Sequence, residues 1–119
     1  MVKEQNITVM NSATLVVEDV KKYFDARGLI RPGLGDSLEF LATEVGECFD
    51  LKLQEQGGFV RNDKNKERKL SLAEFQTKMG RELGDVIMMA IVAGMAIGID
   101  PIQSLQTKMA EKLAEMKEN

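Results

Sequence analysis

One apolar stretch, residues 83–99, constrains the fold more than any other part of this 119-residue chain. It reads LGDVIMMAIVAGMAIGI, and Asp85 is its only charged residue. A helix with this sequence has no polar face, so it is either buried on all sides or lies in a membrane. A bilayer span needs about 20 apolar residues, whereas this run is shorter and carries a charge near one end. We therefore expect a buried helix and no membrane association.

Length and composition predict a single folded domain over residues 1–119. Hydrophobic residues make up 44% and charged residues 29% of the chain, which is typical of a folded soluble protein. The net charge of -3 disfavours binding to nucleic acid. A single cysteine, Cys48, permits no intrachain disulfide, and the first residues lack the apolar core of a signal peptide. Both features favour the cytoplasm.

Capping and stop signals predict four helices and no sheet. The first predicted helix is capped by Asn11 or Ser12 and runs to about Arg27. The others run from Asp36 to about Gln56, from Ser71 to about Ile97, and from Pro101 to the end. Their starting signals are the capping-box pairs Asp36/Glu39 and Ser71/Glu74, and the cap Asp100 before Pro101. Residues 1–11 give little signal, and the polar, basic segment 57–70 predicts an exposed loop.

Four helices in so short a chain can hardly enclose the apolar third helix completely. We therefore expect an all-α bundle completed by homo-oligomerisation, as a homodimer or homotetramer. Helical spacing predicts a core-facing stripe on the second helix, made of Leu38, Leu41, Ala42, Val45, Phe49 and Leu53. The last helix carries a similar stripe of Ile102, Leu105, Met109 and Leu113.

Two pairs of acidic residues have a spacing that places each pair on one helix face. Glu44 and Glu47 lie three residues apart on the second helix, as do Glu82 and Asp85 on the third. If the two helices pack antiparallel, the four carboxylates converge, and a divalent cation is the simplest neutraliser. The chain has no histidine, so a metal site must use oxygen ligands, which favours Mg²⁺ or Mn²⁺. Salt bridges from Lys78 or Arg81 are the alternative.

The two acidic pairs also resemble a known signature. The segments Glu44-Val45-Gly46-Glu47 and Glu82-Leu83-Gly84-Asp85 are similar to the ExxE…ExxD motifs of the MazG-like, all-α nucleoside triphosphate pyrophosphohydrolases. Relatives of the dimeric dUTPases and the phosphoribosyl-ATP pyrophosphohydrolases belong to the same superfamily. The resemblance extends from about Leu15 to about Lys112, and it implies a four-helix MazG-like bundle.

This resemblance implies an Mg²⁺-dependent enzyme that converts a (d)NTP to (d)NMP and pyrophosphate, with a role in nucleotide-pool house-cleaning. Mn²⁺ is a possible substitute. Glu44, Glu47, Glu82 and Asp85 are the implied metal ligands, and Glu44 or Glu47 is the candidate general base. The candidates for substrate contacts are Lys108 and Lys112 for phosphate, and Phe40 and Tyr23 for the base.

Three other classes of protein remain as alternatives. The first is a non-catalytic helical dimer of the same fold that binds nucleotide or regulates another process. The second is a carboxylate di-iron bundle, which is disfavoured because that class uses Glu-x-x-His pairs and this chain has no histidine. The third is a helical nucleic-acid adaptor, which the net charge disfavours.

Overall fold

The computed structural model describes residues 12–55 and 70–118. These residues form four helices, and no strand occurs among them, which confirms the predicted all-α class. The helices are α1 (Ser12–Ala26), α2 (Leu34–Glu55), α3 (Leu72–Ala96) and α4 (Pro101–Glu118). The predictions for residues 1–11 and 57–69 fall outside the described residues.

The chain divides into two compact units. The first comprises Met1–Leu34 and Ile91–Asn119, and it contains α1, the end of α3 and α4. The second comprises Gly35–Ala90, and it contains most of α2 and the longer part of α3. Because both predicted acidic pairs fall in Gly35–Ala90, one unit holds all four candidate metal ligands.

Glycines end α1 and α3. Gly28 and Gly98 adopt the left-handed conformation, with φ of 65° and 76°. After α3, the Ile99 N–H donates to the Gly94 carbonyl at 2.9 Å and the Gly98 N–H donates to the Met95 carbonyl at 3.2 Å. This pair of bonds is the Schellman motif, which satisfies the last carbonyls of a helix and favours glycine at the left-handed position.

Two of the predicted helix starts are confirmed in detail. The Ser71 N–H donates to Glu74 Oε1 and the Glu74 N–H donates to Ser71 Oγ, both at 3.2 Å, which forms a reciprocal capping box before α3. Asp100 Oδ1 accepts a 2.9 Å hydrogen bond from the Ile102 N–H, and Pro101 occupies the first position of α4.

The predicted start of α2 is wrong by two residues. The helix begins at Leu34, so Asp36 lies inside its first turn and is not the residue that caps it. The predicted Asp36/Glu39 capping box therefore does not form, because a cap must precede the first helical residue. Asp36 instead places a negative charge near the positive end of the helix dipole, which is also stabilising.

The first unit buries apolar side chains from α1 and from the end of α3. Val20 and Phe24, one turn apart on α1, are both buried. Ile91 and Val92 are each only 1% exposed, and Ala93 is buried as well. This part of the apolar stretch behaves as the sequence predicts.

Other predicted core positions are exposed, so those predictions are wrong for the single chain. On α3, Leu83 and Ile87 are about half exposed, so this helix is not buried on all sides. On α2, the only buried residues are the polar Ser37 and Gln54. The exposed residues of the two predicted stripes are Leu38, Ala42, Val45, Phe49 and Leu53 on α2, and Leu105, Met109 and Leu113 on α4.

Within the described ranges 12–55 and 70–118, no single helix is long and apolar enough to cross a membrane. Helices α3 and α4 meet that criterion only as a pair, and they are bent by 97° at the break between them.

We predict that Gly94→Ala destabilises the fold, because a Cβ at this position would lie 2.5 Å from Pro101 Cγ and 2.9 Å from the Ile99 carbonyl oxygen. Relieving this overlap requires the backbone of the α3–α4 turn to move. We expect the free energy of unfolding to fall by about 1–3 kcal/mol, measured by urea denaturation.

The matched control is Gly80→Ala in the same helix, where a Cβ would have nothing within 4 Å. This variant gains helix propensity and should be more stable by up to about 1 kcal/mol. Equal destabilisation of both variants would contradict the close approach at Gly94.

Candidate metal centre

Three predicted carboxylates meet between α2 and α3 in the second unit. Glu44 and Glu47 lie one turn apart on α2, and Glu82 faces them from α3. One carboxylate oxygen from each residue lies within 4.8 Å of the other two. The structure therefore brings acids from separate helices to one place, and we call Glu44, Glu47 and Glu82 the glutamate cluster.

Asp85, the fourth predicted ligand, stands apart from this group. Its carboxylate oxygens do not lie within 4.8 Å of all three of the other residues. Its charge nevertheless contributes to raising the pKa of both Glu44 and Glu82. Asp85 is therefore close enough to add negative potential to the glutamate cluster.

Two oxygens of the glutamate cluster are buried without a hydrogen-bond partner, Glu44 Oε2 and Glu82 Oε2. An unsatisfied buried oxygen destabilises a fold by about 1–3 kcal/mol, and by more when it carries charge. Native proteins rarely leave such groups unpaired, and a bound ion or water is their usual partner. These two oxygens are consequently the strongest indication of a bound species.

The electrostatics of the glutamate cluster favour the protonated state of Glu44 and Glu82. Burial, followed by the charges of Glu47 and Asp85, raises the pKa of Glu44. Burial is also the main cause at Glu82, where a hydrogen bond with Glu47 and three neighbouring carboxylates raise the pKa to about 7. The free chain thus relieves the repulsion by retaining protons, and a cation can relieve it in their place.

Within the described residues, no lysine or arginine side chain forms an ion pair with these acids. The ion pairs between described residues join Lys21 to Glu18, Arg31 to Asp25 and Lys112 to Glu115. None of them includes Lys78 or Arg81, the two residues that the alternative explanation requires. Among residues 12–55 and 70–118, the repulsion is therefore not relieved by a salt bridge to the glutamate cluster.

The chemistry of these ligands fits a hard divalent cation. Three carboxylates on two helices offer only oxygen, which Mg²⁺ prefers, and Mg²⁺ commonly keeps several waters as well. Cys48 follows Glu47 directly, and burial together with the nearby carboxylates raises the pKa of its thiol. A neutral thiol is a poor metal ligand, so the oxygen ligands define the site.

The predicted substrate residues lie in different units. Phe40, 53% exposed, is one turn before Glu44 on α2 and shares its helix face. Tyr23 belongs to the first unit, where Arg27 donates to its hydroxyl at 3.3 Å and lies over its ring. Lys108 and Lys112 are exposed on α4 in that unit. Of these four residues, only Phe40 therefore belongs to the same unit as the glutamate cluster.

The sequence analysis did not predict that Cys48 lies beside the candidate metal ligands. Its thiol interacts electrostatically with all four predicted ligands, and it is half-buried in a groove between α2 and α3. The four-residue step from Glu44 to Cys48 places both on neighbouring turns of one helix face. This four-residue spacing is the feature of the sequence from which the position of Cys48 near Glu44 could have been predicted.

Comparison with known proteins does not assign the chain to a family. No protein-family model matches the sequence, and neither the search of curated proteins nor the search of solved structures found a match.

We predict that the metal-free chain loses stability as pH rises from about 4.5 to about 7. Over this range the folded state keeps the proton on Glu82, whose pKa is about 7, while the unfolded state releases it near 4.5. The folded state then binds more protons, so the free energy of unfolding falls with rising pH. Denaturation in the presence of a chelator measures this slope.

Glu82→Gln cannot lose this proton and should flatten the pH dependence, whereas Glu39→Gln, an exposed carboxylate elsewhere on α2, should leave it unchanged. A wild-type stability that rises across this pH range, or one that Glu82→Gln leaves unaltered, would show that Glu82 is not crowded by other acids.

Proposed function

We propose that this protein is an Mg²⁺-dependent nucleoside triphosphate pyrophosphohydrolase. The proposal depends most on one observation: Glu44 Oε2 and Glu82 Oε2 are buried without hydrogen-bond partners beside a third glutamate. The resemblance of the two acidic segments to the MazG-like ExxE…ExxD motifs supports the same reading. The reaction would convert a (d)NTP to (d)NMP and pyrophosphate.

The three glutamates would hold the cation, and Asp85 would add a fourth negative charge nearby. When bound, Mg²⁺ supplies positive charge for phosphate oxygens and lowers the pKa of a coordinated water. Glu47 is the exposed member of the glutamate cluster, and in this proposal it accepts a proton from the attacking water. Hydrolysis then breaks the anhydride bond between the α and β phosphates, and pyrophosphate leaves.

In this proposal, Phe40 is the aromatic residue that contacts the base. Its ring is exposed on the carboxylate face of α2, where it can stack on a nucleobase bound beside the glutamate cluster. Stacking of this kind contributes about 1–3 kcal/mol per base and tolerates different bases. Phosphate contacts from Lys108 and Lys112, and a base contact from Tyr23, remain predictions, as does assembly into a homodimer or homotetramer.

The first test measures pyrophosphate release from a panel of standard, deaminated and oxidised triphosphates in the presence of Mg²⁺. We expect Glu47→Gln and Glu82→Gln to lower kcat/KM by roughly 100-fold or more, because each removes a proposed ligand. Asp85→Asn should cause a smaller loss, because Asp85 stands apart from the glutamate cluster.

Glu39→Gln is the matched control, since it neutralises an exposed carboxylate of α2 outside the glutamate cluster. If all four variants were as active as the wild type, the glutamate cluster would not be the site of the reaction. Nucleotide binding without turnover of any triphosphate would instead indicate the non-catalytic alternative.

A second test measures metal binding without turnover. We predict that Mg²⁺ raises the melting temperature of the wild type, because a ligand that binds only the folded state stabilises it. Glu82→Gln should lose most of this shift. The same shift in both proteins would show that the bound Mg²⁺ does not use Glu82.

A further inference from the structure

Two basic residues of α3, Lys78 and Arg81, precede the two acids of that helix by one turn. Lys78 lies four residues before Glu82, and Arg81 lies four residues before Asp85. Residues four apart share a helix face, so each base is next to one acid of the second acidic pair. We call Lys78 and Arg81 the basic pair. It belongs to the same unit as the glutamate cluster.

The neighbouring acids do not neutralise the basic pair. The ion pairs between described residues join other side chains, although Glu82, which has a buried oxygen without a partner, is one turn from Lys78. A base that precedes an acid by four residues is the less favourable order for such a pair. Within residues 12–55 and 70–118, neither positive charge of the basic pair is therefore committed to a carboxylate.

The basic pair is well placed for an anion that starts at the glutamate cluster. Successive residues turn by about 100° around a helix, so Lys78 lies about 40° from Glu82 around α3 and about 5.4 Å along it. Arg81 has the same relation to Asp85. Lys78 is half-buried and Arg81 is exposed. A chain of phosphates that begins at the glutamate cluster and follows α3 toward its first residue would therefore meet both side chains.

We propose that Lys78 and Arg81 bind the β and γ phosphates of the triphosphate, the part of the substrate that leaves as pyrophosphate. This inference rests on the proposed function for the identity of the substrate. Hydrolysis forms a bond between the water oxygen and the α phosphorus, and it breaks the bond from the α phosphorus to the bridging oxygen. The electron pair of the broken bond leaves with pyrophosphate. Positive side chains beside the leaving group stabilise this added negative charge.

The location of the other basic residues favours this assignment. The described part of the second unit contains only one further lysine or arginine, Lys52, which lies along the groove between α2 and α3. Lys108 and Lys112, the phosphate contacts that the sequence predicts, belong to the first unit. Within the part of the chain that the structure describes, the basic pair thus supplies the positive charge next to the acids of α3.

Calorimetric titration with inorganic pyrophosphate in the presence of Mg²⁺ tests this assignment without turnover. We expect Lys78→Met and Arg81→Met each to raise the dissociation constant of pyrophosphate roughly 10-fold to 100-fold, because each removes a charged hydrogen-bond donor. Lys78→Arg keeps the charge and should restore most of the affinity. Lys52→Met, the matched control from the same unit, should bind pyrophosphate as the wild type does.

Two further measurements separate phosphate binding from damage to the fold or to the metal site. Mg²⁺ should raise the melting temperature of Lys78→Met as much as that of the wild type, because the proposed metal ligands are unchanged. A nucleoside monophosphate lacks the β and γ phosphates, so it should bind equally well to the wild type and to Lys78→Met. If Lys78→Met does not fold, Arg81→Met decides in the same measurements.

Equal affinity of the wild type, Lys78→Met and Arg81→Met for pyrophosphate would overturn this assignment, even if the wild type hydrolyses triphosphates. A wild type that binds no pyrophosphate in the presence of Mg²⁺ would overturn it as well. If the wild type hydrolyses no triphosphate but binds pyrophosphate through the basic pair, the proposed function fails and the assignment of Lys78 and Arg81 to phosphate binding is supported.

Discussion

The repulsion among carboxylates from two helices is the interaction on which the rest of this account depends. Glu44, Glu47 and Glu82 approach within 4.8 Å, and two of their oxygens are buried without partners. Such an arrangement destabilises the fold unless the acids hold protons or bind a cation. The raised pKa of Glu82 corresponds to acids that hold protons. A divalent cation would stabilise the ionised acids instead. Acidic residues that lower the stability of the metal-free fold in this way are typical of binding and catalytic sites.

The helix boundaries were predictable because the signals that set them are local. Ser71 with Glu74, and Asp100 with Ile102, form their hydrogen bonds within three residues, and Gly98 ends α3 through its own left-handed conformation. Asp36 shows the limit of this reasoning. Acidic residues favour both the cap and the first turn of a helix, and the sequence alone does not distinguish the two positions.

Tertiary features were predictable only in part. The three-residue spacing placed each acidic pair on one helix face, but the position of Asp85 outside the 4.8 Å group depends on how α3 packs. Periodicity likewise identified the apolar stripe of α2 but not what covers it. Val45 and Phe49 carry the pattern of a core, yet they remain exposed in the single chain. An interface between chains and a core within one chain have the same sequence pattern.

Diffraction from crystals soaked in Mn²⁺ tests the central claim most directly, because Mn²⁺ replaces Mg²⁺ at oxygen sites and its anomalous signal locates the ion. The account predicts a peak between α2 and α3, with carboxylate oxygens of Glu44, Glu47 and Glu82 about 2.0–2.3 Å away. A map without a peak at these residues, with their carboxylates paired to Lys78 or Arg81 instead, would contradict it.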